Sequence, residues 1–377
     1  MRVAILGGGP AGLYFGALWK SRNPGDAVEV FEQDRAGVTW GFGVVFSDRA
    51  LEFLREDDPG TAEFISPHMQ SWQDMTIVHR GEAIAIDGVG FSAIGRLALL
   101  QLLSQRAEAT GVRLHFDTPI GSLDALAGFD LIVGADGVNS LVRRAHEAAF
   151  RVTRSELDSK FVWYGTSKPF ATLTQTFAET ARGTFNAHHY RYAPDRSTFI
   201  VECDPATWRR AGLDSADDAE SRRICEEVFA ATLDGHPLQS NRSIWRNFPW
   251  LWAGCWAHRN VVLIGDAAHT AHYSIGSGTR LAMEDALALM KALEAQPGDL
   301  ESALAHYDAA RRPIVEKLVT ASKQSAAWYE RFPAHMRLAP EELAMSYIRR
   351  SGRIDDDRLR AMAPKFMALY DARHRAR

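Results

Sequence analysis

Residues 1–22 read MRVAILGGGPAGLYFGALWKSR, and residues 28–34 read VEVFEQD. An apolar run at 3–6 enters Gly7-x-Gly9-x-x-Gly12, helix-forming sequence follows, and a second apolar segment ends at Glu32. A βαβ unit that binds a dinucleotide has this layout. Gly7 allows the tight turn, Gly9 lets the backbone approach a pyrophosphate, and Gly12 lets the helix pack closely on the strand. Pro10 and Ala11 lie in the same turn. The N–H groups at the helix start then face the phosphates, where the macrodipole favours negative charge. Glu32 is placed to accept hydrogen bonds from a ribose hydroxyl pair, and Arg35 follows it closely. Three glycines alone make a flexible turn; strand, helix and acid together carry the reading.

At 377 residues the chain has room for two or three domains and a large core. Hydrophobic residues make up 46% and charged residues 24%, the balance of a globular protein. The 43 basic and 47 acidic residues leave a net charge of −4, which argues against a nucleic-acid partner. The apolar stretches are too short to cross a bilayer, and the N-terminus runs into the first strand without a signal-peptide pattern. Cys203, Cys225 and Cys255 are far apart and form no CxxC pair. They predict small buried residues, with no disulfide framework and no metal site, and a reducing cytoplasm.

Further along, AGVTWGFGVVFSD (36–48) is a glycine- and aromatic-rich loop. TIVHRGEAIAI (76–86) alternates as a hairpin with Arg80-Gly81 near its turn. From Ser92 to Gly111 the pattern is helical, with Leu97, Leu100, Leu103 and Ala107 on one face and a glycine stop. Residues from about 161 to 245 are β-rich and aromatic, which predicts an antiparallel sheet inserted into an α/β nucleotide-binding fold. After the strand in RNVVLIGDAAH the chain is largely helical, and Arg311-Arg312 reads as part of a solvated helix face.

Two later stretches pair glycine with aspartate. FDLIVGADGVNSLVR (129–143) delivers Asp136-Gly137 after a strand, with Ser140 and Arg143 on the next turn. NVVLIGDAAHTAHYSIGSGTRLAMEDA (260–286) delivers Gly265-Asp266 to a loop, and Gly276-Ser277-Gly278 starts a helix carrying Glu284 and Asp285. Asp266 suits a hydroxyl-bearing chain, and the helix start suits negative charge on a ring.

In this order and spacing, the three stretches resemble the single-component FAD-dependent aromatic hydroxylases, and the resemblance extends to about residue 330. It implies a Rossmann-like FAD-binding βαβ domain at 1–66, 90–155 and 256–315. An inserted antiparallel β-sheet substrate domain would occupy 67–89 and 156–255, with a helical C-terminal part at 316–377. It implies FAD contacts from Gly7, Gly9, Pro10, Ala11, Gly12, Glu32, Arg35, Arg96, Asp136, Asp266, Gly276, Gly278, Thr279 and Arg280. Arg96 falls where the family places an arginine near the flavin diphosphate. Many members carry proline and asparagine where this chain has Ser274 and Arg280, so the flavin's pyrimidine edge is expected to be held differently. More narrowly, GFGVVFSD (41–48), STFIVEC (197–203), GDAAHTAHYSIGSGTRLA (265–282) and AMSYIRRSGRI (344–354) resemble the salicylyl-CoA 5-hydroxylase group, which includes the hydroxylase half of 2-aminobenzoyl-CoA monooxygenase. WYGTS and SIG-x-G are shared with the violacein-pathway hydroxylase.

The resemblance implies that NADH or NADPH reduces FAD, that O₂ adds at flavin C4a, and that the distal peroxide oxygen attacks an electron-rich ring. The expected substrate is a small aromatic, best an ortho-hydroxy- or aminobenzoyl-CoA thioester. A violacein-type or free aromatic acid is the alternative, and a silent flavoprotein a more distant one. Histidine suits the base that draws a phenol proton near neutral pH, and His188 and His272 are the candidates. His269 serves its own loop equally well. Tyr164, Tyr190 and Tyr273 are candidates for binding the ring. A plain NAD-dependent dehydrogenase leaves the two later motifs unexplained. A halogenase needs Trp-x-Trp-x-Ile-Pro, which PWLWAGCW does not supply.

Overall fold

The structure, a computed structural model, describes residues 1–47 and 51–375, so Asp48 at the end of GFGVVFSD lies outside the described residues. The opening stretch forms strand Arg2–Leu6, helix Pro10–Arg22 and strand Ala27–Phe31, with the two strands parallel. Residues 3–6 are buried, as a strand covered on both faces requires. Leu131–Gly134 pairs parallel with the other edge of Arg2–Leu6, and Val261–Leu263 pairs parallel beyond it. Ala257–His258 and Arg113–His115 complete the six-stranded sheet. The C-terminal ends of its three central strands therefore lie side by side. All three glycine motifs meet at that edge, where open parallel sheets bind their ligands.

A second sheet of eight strands carries Leu238–Gln239, Val152–Thr166, Arg196–Cys203, Gly183–Ala193, Leu173–Thr180, Met75–His79 and Glu82–Ile86, with Arg246–Ala253 also paired to the long Val152–Thr166. It is antiparallel except where Leu173–Thr180 meets Met75–His79. The predicted hairpin around Arg80-Gly81 thus forms the far edge of the inserted sheet. Gly43–Ser47, Phe91–Gly95 and Gln70–Trp72 make a small third sheet. The insertion is less purely β than its sequence reads, since Pro205–Arg210, Asp218–Val228 and Ala230–Leu233 are helices.

Alternation gives the large sheet two faces with different neighbours. Phe161 and Trp163, Ile200 and Glu202, His188 and Tyr190, and Leu173 and Gln175 occupy one face by register. The C-terminal helices Leu300–Tyr329, Pro340–Arg349 and Pro364–Arg375 contribute to the core on this side. Val162, Tyr164, Phe199, Val201 and Ala187 occupy the other face, packed with Leu213, Ile224 and Phe229 from the helical excursion.

Two local expectations are corrected. The helix starts at Arg96, not Ser92, because Phe91–Gly95 pairs on both sides as a strand and the ladder outweighs the helical pattern. Its buried face is Leu99, Leu102, Leu103 and Ala107, while Leu97 is 36% exposed. Arg311 is not solvated: it is 7% exposed and turned against helix Gly278–Ala295, where two carboxylates hold it. Arg312 remains at the surface side, paired with Asp308 at 2.8 Å. Among the described residues, no helix is long and apolar enough to cross a membrane.

Candidate active site

The first motif is a cradle with its interior open. Gly7 has φ +106°, and a Cβ there would strike the Ala135 carbonyl. A Cβ at Gly12 would strike the Gly7 carbonyl, whereas one at Gly9 would meet nothing within 4 Å. Gly7 and Gly12 are thus demanded by the fold, and Gly9 faces free space. Helix Pro10–Arg22 begins there with proline in its first turn and no side-chain cap, so its first N–H groups are free for an anion. Ala11 is buried beneath the turn. Glu32 accepts from the Gly8 N–H at 2.7 Å and the Asp34 N–H at 2.8 Å, which fixes the carboxylate on the wall of a cleft of about 370 Å³. Arg35 and Arg96 line the same cleft. Arg35 is exposed, and Arg96 donates from Nε to Thr39 Oγ1 at 3.1 Å.

Asp266 opens onto solvent from the third strand end, yet protein surrounds its recess. Burial raises its carboxyl above the usual range, partly offset by His269 and Arg96. Burial likewise holds the Arg96 guanidinium low, with Asp266 working against it. The two groups belong to one recess, although 170 positions apart in the chain.

Beneath Asp266 lies a buried charge network. Asp285 Oδ2 accepts from the Gly265 N–H at 3.0 Å and meets His269 Nε2 at 2.7 Å, and Oδ1 accepts from Arg311 Nε at 2.7 Å. Arg311 also donates to Glu284 at 2.8 Å, and Glu284 accepts from Arg280 at 2.6 Å. Burial drives the Asp285 carboxyl upward, but His269 and Arg311 outweigh it and hold it below the usual carboxylate range. His269 therefore does serve its own loop. Gly276 (φ +58°) ends the turn Tyr273–Ile275, and Gly278 and Thr279 open helix Gly278–Ala295, whose N-cap Ser277 makes no side-chain cap. A second uncapped helix start therefore points at the same edge.

Asp136 plays a local part. Its Oδ2 accepts from the Leu141 N–H at 2.6 Å and the Val142 N–H at 3.3 Å, and its Oδ1 is buried without a partner. The residue that joins this motif to the third is Arg143, 1% exposed, which donates to the Ala267 carbonyl at 2.8 Å and to the Gly137 carbonyl.

Of the predicted ring-binding residues, Tyr164 is not brought to the site. It follows Trp163 on the strand, so alternation turns it to the opposite face, where its hydroxyl lies 2.8 Å from Ser221 Oγ. Tyr190 lies on the site face and donates to the Gly43 carbonyl at 2.9 Å. Tyr273, from the third-motif loop, donates to Glu202 at 2.6 Å and packs near Phe161 and Phe248. His188 is buried beside Tyr190, and neither ring nitrogen has a partner. Its cross-strand neighbour Gln175 is fully buried with both amide atoms unpartnered. Polar groups are rarely left so in an interior without a ligand to meet. Burial, with Arg350 nearby, pushes both His188 and His272 down to about 3. Burial thus disfavours the protonated form of both imidazoles.

Sequence reasoning missed Glu202 and Arg350. Arg350 lies over the Tyr347 ring at 3.7 Å and donates to the Ser274 carbonyl at 2.6 Å, so the C-terminal part holds the third-motif loop. Ser274, the departure from proline, also reaches Ser325 Oγ at 2.7 Å.

Residues 129–322 match the family described as FAD binding domain. Salicyloyl-CoA 5-hydroxylase of a Streptomyces species is 40% identical over 361 residues, which span 93% of this chain and 70% of that protein. The 3-hydroxy-4-methyl-anthranilyl-(aryl-carrier protein) 5-monooxygenase of Streptosporangium sibiricum is 41% identical over 334 residues, 88% of this chain and 90% of that protein. A solved variant of 2-methyl-3-hydroxypyridine-5-carboxylic acid oxygenase shares the fold with a TM-score of 0.71 at 19% identity, with 96% of each chain covered.

Proposed function

Because this chain belongs to the FAD-dependent aromatic monooxygenases, we propose that it hydroxylates an aryl thioester bearing a hydroxyl or amino group ortho to the carbonyl, at position 5, with NADH or NADPH as reductant. FAD fits the residues present. The open cradle at Gly9 and the uncapped start of helix Pro10–Arg22 suit the diphosphate. The Glu32–Arg35 cleft suits the adenosine half, Asp266 the ribityl chain, and the Gly278–Thr279 helix start the flavin ring. When bound, FAD supplies the reductive activation of O₂.

The chain's own residues then hold the ring and exclude water. The site face of the large sheet, closed by the C-terminal helices, offers neutral hydrogen-bonding groups within an apolar wall: Gln175, His188 and Tyr190. That suits a neutral aromatic ring and polarises its ortho donor without adding charge. Position 5 is para to a donor at position 2, so electron density from that donor directs an electrophilic oxygen there.

The observation that carries the substrate reading is the pair of relatives at 40% and 41% identity, each named for action at position 5 of an ortho-substituted aryl thioester. One is named for a CoA ester and the other for a carrier-protein ester, so a pantetheine arm is common to both, and the carrier-bound ester is the second reading. The test is reductant consumption and product mass with salicyloyl-CoA, 2-aminobenzoyl-CoA, the same acyl groups on a carrier protein, and the free acids. Efficient 5-hydroxylation of a thioester is the expected result, with flavin reduction faster when that thioester is bound. Equal turnover of the free acids, or product from indolic substrates alone, overturns the reading.

A further inference from the structure

Glu202 is 2% exposed, and among the described residues it pairs with no lysine, arginine or histidine. A carboxyl so placed is costly to ionise, and proteins seldom keep one without a use. Its single hydrogen bond comes from the Tyr273 hydroxyl, at 2.6 Å. Tyr273 belongs to the loop that leads to the start of helix Gly278–Ala295, and its ring lies 4.1 Å from that of His272. Glu202 belongs to the sheet face that carries His188 and Asn186. Helix Leu300–Tyr329 brings up Tyr329, and Glu330 follows at its end. Glu330 is partly exposed and accepts from the Asp158 and Ser159 N–H groups at 3.1 and 2.8 Å. The titratable groups facing Glu202 are therefore Tyr273, Tyr329 and Glu330, with Cys203 next to it on the strand turned to the other face.

We propose that Glu202 and Tyr273 form a proton store for the hydroxylation, with Glu202 acting through the Tyr273 hydroxyl. This rests on the reaction proposed above. As the ring is attacked, the O–H or N–H bond of its ortho donor breaks. Tyr273 Oη takes that proton while its own passes to Glu202 Oε2, making a carboxylic acid. The O–O bond breaks as the ring C–O bond forms. The C–H bond at the attacked carbon then breaks to restore aromaticity, and its proton goes to the oxygen that leaves as water. The stored proton returns by the same route to the ortho donor. Glu202 is thus a positioning and proton-holding residue, and it must be ionised at the start. Burial pushes its carboxyl up to about 8, the Tyr273 bond opposes that rise, and Glu330 adds to it.

The first test is hydroxylation against pH, scored as product per reductant consumed, for wild type, Glu202→Gln, Glu202→Asp and Tyr273→Phe. In the wild type, product formation should rise about tenfold between pH 7 and pH 9, following ionisation of the carboxyl. Glu202→Gln and Tyr273→Phe should flatten that limb at unchanged FAD occupancy, and Glu202→Asp should restore it. The second test needs no turnover. Infrared titration of the FAD-loaded protein should show a buried carboxylic acid band that disappears near pH 8 and is absent from Glu202→Gln. Superimposable pH profiles for wild type and both flattening variants, or a band that does not titrate, overturn the proposal. If the wild type hydroxylates no aryl thioester, the substrate reading falls, and the infrared titration still decides whether the carboxyl holds the proton. Should Glu202→Gln fail to fold, Tyr273→Phe carries the kinetic arm.

Discussion

Replacing Asp285 by asparagine removes one charge from the interior and almost no volume. The carboxylate faces donors on both oxygens: the Gly265 N–H and His269 on one, Arg311 on the other. An asparagine keeps an acceptor on one side and turns an amide N–H₂ toward donors on the other. Removing one partner of a buried ion pair typically costs about 3–5 kcal/mol, because the other charge is left uncompensated. Arg311 keeps Glu284, so the lower end applies, about 3 kcal/mol. Urea unfolding at one saturating FAD concentration measures this, since ligand binding itself adds to stability. FAD should also bind more weakly, because the Gly265–Asp266 turn loses its anchor. The sign with pH follows from the lowered carboxyl. Its contribution is complete above the ordinary value of 3.8 and is lost as pH falls through the lower native value. The gap between wild type and variant should therefore be constant above about pH 5 and close only in more acidic solution. A stability loss under about 1 kcal/mol at neutral pH would refute the view that this network holds the third motif in place.

Other substitutions separate roles that the sequence runs together. Gly9→Val should leave the unfolding midpoint of the FAD-free protein near that of wild type and lower FAD affinity at least tenfold. Gly12→Ala should instead cost about 1–3 kcal/mol or more in the same unfolding assay, because its Cβ meets the Gly7 carbonyl. Tyr164→Phe should cost about 1 kcal/mol through the lost Ser221 bond and leave hydroxylation kinetics unchanged. His188→Gln should slow hydroxylation by about tenfold, short of the 10²–10⁴ expected of a general base, and leave the pH profile in place. A pH limb that vanished with His188 would show that its imidazole titrates during turnover.

The cofactor end of the molecule was legible because its rules are local. A turn that brings Gly7 against Ala135, or a helix that packs at Gly12, excludes every side chain, and that exclusion is written as glycine at fixed spacing. Arg143 stood in a quoted motif, but its purpose depends on a carbonyl at Ala267 that only the parallel sheet brings near. Arg311 looked like surface charge because helix periodicity says nothing of which neighbour carries the opposite charge. Tyr164 and His188 were drawn from the same aromatic-rich segments, and the pleat of the sheet separates them. Strand parity within TFNAHHYRYA and STFIVEC was available beforehand: Glu202 stands in phase with Thr198 and Ile200, across from Asn186 and on the face of His188. What was missing was which parity packs against the C-terminal helices, and that is set by residues more than a hundred positions away.

The parity has a practical consequence for anyone wishing to change what this enzyme accepts. Along Gly183–Ala193, residues 186, 188 and 190 share the face proposed to meet the substrate, while 185, 187 and 189 back onto a separate core. If that proposal holds, a library confined to the first set, with partners 175, 200 and 202 on neighbouring strands, samples the substrate-facing side alone. Randomising the whole strand would spend half its diversity on positions whose usual outcome is an unfolded protein. Redesign of substrate range and repair of stability can therefore proceed on the two sides of one sheet as separate campaigns, recombined at the end.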